Sequence, residues 1–109
     1  MKTALLALLL SAVPLSDYLS TARQEIDARR YDNAIRRVMD GLLEHPGVPD
    51  LLTLLGEAYE ARGRVSLETG DVESAERDLE PALAAAPERR AHIESLLMVI
   101  ETRRIRDDL

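Results

Sequence analysis

The chain has 109 residues, 46% of them hydrophobic, which suffices for one domain with a core and is too short for two. Its 14 basic side chains against 20 acidic ones give a net charge of -6, which argues against a nucleic-acid backbone or an anionic membrane surface as the main ligand. Cysteine is absent, so disulfides, thiolate metal sites and cysteine nucleophiles are excluded together. The aromatic residues are Tyr18, Tyr31 and Tyr59, and the richness in Ala, Leu, Glu and Arg predicts an all-α fold without strands.

Residues 1–16 differ in character from the rest. Lys2 precedes an uncharged run of small and aliphatic residues from Thr3 to Val13, and Pro14-Leu15-Ser16 follows. One basic residue ahead of a short apolar run has the layout of a secretory signal, and the run falls short of the ~20 residues a spanning helix needs. The segment is expected to direct export to the periplasm or cell envelope of a bacterium. The alternative is an uncleaved N-terminal anchor or a helix packed on the domain. Residues 17–109 form the expected folded unit.

From Asp17 onward, breaks at Gly41 to Pro49, at Gly63 and Gly70 and at Pro87 separate stretches with apolar residues at helical spacing, so five helices are expected. The first runs from Asp17 to Arg29 with Tyr18, Ala22 and Ile26 on one face. The second runs from Tyr31 or Asp32 to Glu44, where Ile35, Val38, Met39 and Leu42 make an apolar stripe and His45 can meet the helix dipole. Asp50 is the expected cap of the third, which carries Leu51, Leu52, Leu54, Leu55, Ala58 and Tyr59. Asp71, with Ser74 three residues on, caps the fourth, and Pro81 predicts a kink near Arg77 to Asp78. The fifth spans Glu88 to Arg106, with Ile93, Leu96, Leu97 and Ile100 on one stripe.

These stretches repeat. Tyr18 to Leu52 and Ala22 to Gly56 are each separated by 34 residues, whereas Ala34 to Ala75, Val38 to Leu79 and Pro46 to Pro87 are separated by 41. The extra seven residues are about two helical turns, which lengthen a helix while returning its apolar face almost to phase. Gly56 is expected to face Ala75 on the neighbouring helix and let the two backbones approach. Leu52, Leu55, Gly56, Tyr59, Ala75, Leu79, Ala82 and Pro87 resemble the tetratricopeptide repeat family, with a weaker first repeat around Tyr18, Ala22, Tyr31 to Ala34 and Pro46. The resemblance implies antiparallel helix pairs stacked as a short right-handed solenoid of two degenerate repeats and a C-terminal capping helix.

No catalytic constellation stands out. His92 lies four residues after Glu88, a pair without a further ligand to complete a metal site, and Glu73, Glu76, Asp78 and Glu80 beside Arg77 read as a solvated helix face. No enzyme activity, cofactor or metal is expected. The resemblance implies a concave face formed by the first helix of each pair, with Arg23, Asp27, Thr53, Glu57 and Glu60 on it, open to a protein or peptide partner. An adaptor or assembly scaffold is therefore expected, the alternative being a self-assembling homo-oligomeric subunit held at the membrane by residues 1–16.

Overall fold

The computed structural model describes residues 13–109; most of the signal-like segment lies outside the described residues. The described chain is all-helical: α1 is Leu15–Asp27, α2 Tyr31–Glu44, α3 Pro49–Glu68, α4 Val72–Ala85 and α5 Arg90–Asp108, with a 3-10 turn at Pro87–Arg89 before α5. α1 starts two residues ahead of the expected boundary at Asp17, and Val13 and Leu15 pack against the core.

The connections follow from local chemistry. α1 and α3 end in the same hydrogen-bonded motif: Arg30 N donates to Glu25 O and Arg29 N to Ile26 O, as Asp71 N does to Ser66 O and Gly70 N to Leu67 O. The motif puts its pivot residue in the left-handed region, which Gly70 at φ 84° occupies without strain and Arg29 at φ 61° does not. Gly70 therefore makes the turn before α4, whereas Gly63 is buried inside α3. Asp71 caps α4 by accepting from Ser74 N at 3.1 Å and from the Ser74 hydroxyl at 2.6 Å.

Two local expectations need correcting. Asp50 is not a cap: Val48 holds that position, Pro49 follows it as a first-turn residue without a needed N–H, and Asp50 contributes charge within the first turn. The last helix begins at Arg90 after the separate 3-10 turn, because Pro87 starts a turn of its own. α4 remains one helix from Val72 to Ala85 with Pro81 inside it.

Two clusters make the core. Tyr18, Ala22, Ile26, Ala34, Val38 and Leu51 belong to the first, and Leu67, Ala75, Leu79, Ala82, Ile93 and Ile100 to the second, with Tyr59 touching both. α3 and α4 share the largest interface, and they run antiparallel, because Gly56 meets Ala82 and Ala86 while Gly63 meets Ala75 and Leu79. Gly56 thus does not face Ala75. The expected pairing is displaced by two turns, and Gly63 takes the place opposite Ala75. In the first pair the roles reverse: the small residue is Gly41 on α2, and a Cβ there would sit 3.0 Å from the Tyr18 ring.

A Cβ at position 56 would stand 2.4 Å from the Ala86 Cβ and 3.2 Å from the Ala82 carbonyl oxygen, neither of which is the end of a flexible chain. Gly56→Val is accordingly expected to lower stability by about 3 kcal/mol or to abolish the fold, read by thermal melting of the helical circular dichroism signal. Arg29→Gly relieves the left-handed strain at a site with no side-chain role in the turn, and denaturant titration should show a gain of about 0.5–1 kcal/mol.

Candidate functional site: the α1 and α3 face

α1 and α3 lie side by side in the same direction, so that Arg23 reaches Glu57, 34 residues on, with two parallel contacts of 2.7 and 2.8 Å. The pair is a bidentate guanidinium–carboxylate fork, which holds Glu57 below the ordinary carboxylate range and raises Arg23. Asp27 stands one turn on, 3.8 Å from Arg23 and exposed. Thr53 donates its hydroxyl to the Glu88 carboxylate at 3.0 Å, tying the start of α3 to the turn before α5.

Glu60 occupies a different environment. It is buried, 2% exposed, and accepts from Arg89 Nε at 3.0 Å and Nη2 at 2.5 Å. Its other oxygen, Oε1, has no hydrogen-bond donor: His92 Nε2 is 3.3 Å away and Arg64 3.9 Å away. Arg64 Nη2 lies 2.6 Å from His92 Nε2, and because a guanidinium only donates, Nε2 is the acceptor in that contact. Of the five residues assigned to this face, Arg23, Asp27, Thr53 and Glu57 are reachable by a partner, and Glu60 is part of the joint beneath it.

Three arginines escaped sequence reading. Arg62 donates to Asp78 at 2.9 and 2.7 Å and to Asp32 at 2.8 Å, binding α2, α3 and α4 together, and its guanidinium lies 5.6 Å from the centre of the Tyr59 ring. Asp78 first and Asp32 with it push the Arg62 pKa further up. Arg104 forks onto Glu76 at 2.7 and 2.8 Å and holds α5 to α4, and Arg89 anchors Glu60. The acidic stretch of α4 is thus split: Glu73 and Glu80 are exposed, whereas Asp78 is buried and Glu76 is paired.

His45 ends α2, and its Nε2 lies 3.2 Å from the Val13 carbonyl oxygen, with its ring edge-on to Tyr18 at 6.0 Å. Among the described residues, no three His, Asp or Glu side chains are grouped to hold a metal, and no helix is long and apolar enough to cross a membrane. The clefts are shallow and charged, one lined by Arg29, Arg30, Tyr31, Asp32, Asn33 and Arg62. In comparisons with known proteins the chain matches no family model, no curated protein and no solved structure.

Removing Arg62 would leave Asp78 buried without a partner. Arg62→Met should lower stability by about 3 kcal/mol, and Arg62→Met with Asp78→Leu should recover most of it, as measured by urea denaturation.

The paired carboxylates also set the acid behaviour. Arg30 holds Glu25 low, Arg23 holds Glu57 low, Arg104 holds Glu76 low, and the Ser74 hydrogen bonds hold Asp71 low. A carboxylate whose folded pKa is depressed binds its proton more readily in the unfolded chain, so it stabilises the fold above the unfolded value and that contribution disappears as pH falls. The melting temperature should therefore show no loss from these four groups between neutrality and about pH 5, then fall from about pH 4.5 downward. In Arg104→Gln the fall should be shallower because Glu76 loses its shift.

Proposed function

We propose that the protein is a non-catalytic adaptor or assembly scaffold of the tetratricopeptide repeat type, binding a segment of a partner protein across the face formed by α1 and α3. The observation that carries this reading is the Arg23–Glu57 fork. Its partners are separated by the 34 residues that separate Tyr18 from Leu52, so equivalent surface positions of successive helix pairs lie next to each other. Stacked units of this kind present a continuous strip of side chains to an extended ligand.

The chemistry of the strip favours a ligand with basic and apolar side chains. Arg23 is already neutralised by Glu57, leaving Asp27 as an exposed acidic position one turn further along α1, while Thr53, one turn before Glu57 on α3, is bonded to Glu88. A carboxylate tail finds no unpaired cation among Arg23, Asp27, Thr53, Glu57 and Glu60. Residues 1–16 direct export to the cell envelope under this reading, and the domain acts there as a scaffold.

The test is capture with C-terminally tagged protein from soluble and membrane fractions of the native cell, with mass spectrometry of the captured proteins and of the bait's own N-terminus. Asp27→Arg with Thr53→Arg changes two exposed positions, so the helical signal should be retained while recovery of the partner falls about tenfold. Undiminished recovery rejects this face as the binding site. A bait that retains Met1 rejects processed export.

A further inference from the structure

We propose that the outer face of α5 is an interface for a second copy of this chain, the two α5 helices pairing in parallel about a two-fold axis. The inference goes beyond the partner-binding face, which lies on α1 and α3. α5 is apolar on two opposite sides: Ile93 and Ile100 are buried against α4 and α3, with Leu96 and Leu97 half-buried beside them. On the other side Ala91, Ser95, Met98, Thr102, Ile105 and Leu109 are all exposed, and their spacing alternates four and three residues along the whole helix. Met98 is 71% exposed and Ile105 58% exposed. Alternate four-three spacing is the seam of a two-stranded coiled coil.

Two further features fit burial of this seam. The hydroxyls within it are already satisfied on their own helix, Ser95 donating to His92 O at 2.6 Å and Thr102 to Met98 O at 2.8 Å, so neither needs water. The flanks differ in charge: Glu94, Glu101 and Asp108 run along one side of the seam, and Val99 and Arg106 along the other. In a parallel pair, each Glu101 meets Arg106 of the second copy, five residues on, whereas an antiparallel pair places Glu101 against Glu101 and Glu94 against Asp108. Glu101 is free for this contact: its in-chain neighbour Arg104 is 4.0 Å away and already forked onto Glu76. Arg106 makes no ion pair among the described residues.

The seam is short, about 28 Å for the 19 residues of α5, and half its positions are small or hydroxylated, so the dimer is weak and concentration-dependent. The chain has no cysteine, which makes any introduced one unique. In the full-length protein, Met98→Cys and Ile105→Cys should each give a disulfide-linked dimer under mild oxidation, while Leu43→Cys, on exposed α2, should not. Sedimentation equilibrium should show Glu101→Arg weakening the dimer about tenfold and Glu101→Arg with Arg106→Glu restoring it. All of these positions are exposed, and circular dichroism checks that each variant is folded. The proposal is overturned by a wild-type protein that stays monomeric at several hundred micromolar or by equal cross-linking at Leu43. It is also overturned if Glu101→Arg leaves association unchanged, as antiparallel pairing with position 101 against itself requires, or if a dimer survives Met98→Glu with Ile105→Glu.

Discussion

Everything in this molecule is arranged around the close approach of α3 and α4. Two glycines on α3, seven residues apart, face α4 and its C-cap, Gly63 against Leu79 and the Ala75 carbonyl and Gly56 against the Ala82 carbonyl and Ala86, and a single added carbon at Gly56 would overlap Ala86. Dispersion contacts fall off within an ångström, so a helix pair brought this close gains contact along its whole length and loses it together. That proximity is what lets Arg62 reach Asp78 across the interface. It also fixes the turn at Pro87–Arg89, from which Arg89 reaches the buried Glu60.

Around that joint, charge performs work that a larger protein would leave to apolar area. Helices are cross-linked by arginine forks: α1 to α3 through Arg23 and Glu57, α2 to α3 and α4 through Arg62, and α4 to α5 through Arg104. A planar guanidinium can hold two oxygens in one geometry, and a lysine cannot; Lys2 is the chain's one lysine, and it precedes the domain. The same forks restrict what the surface can bind. A side chain already satisfied within the fold offers a ligand shape more than charge, so under the proposed function selectivity at the α1 and α3 face rests on the exposed neighbours of each fork.

Helix number, most of the apolar faces and the Asp71 cap were legible in the sequence because each depends on residues within one turn of one another, whereas Met39, expected on the apolar stripe of α2, is 48% exposed. The seven-residue offset was legible too: α3 is 20 residues long against 13 for α1, and the pivots Arg29 and Gly70 stand 41 apart, as Ala34 and Ala75 do. What escaped was the pairing between helices. Gly56 opposite Ala75 is reasonable if α3 and α4 start level, but the added turns slide α4 along α3 and bring Gly63 there instead. Glu60 and Asp78 look like ordinary surface carboxylates because their arginines arrive from 29 and 16 residues away, a distance no periodicity records. Of the five residues assigned to the face, four are accessible in the fold and Glu60 is buried.

α3 is a beam common to both halves. Its first turns, with Leu51, Leu54, Leu55 and Ala58, close the first cluster, and its last, with Leu67, close the second, while Tyr59 lies between them. Ordinary repeat arrays grow or shrink by whole helix pairs because each pair contributes its own wall. Here the wall is shared, so neither half can be lost, duplicated or transplanted without exposing half of α3. The heritable unit is the entire five-helix assembly, and a descendant gene that kept only one helix pair would encode a chain with an open core.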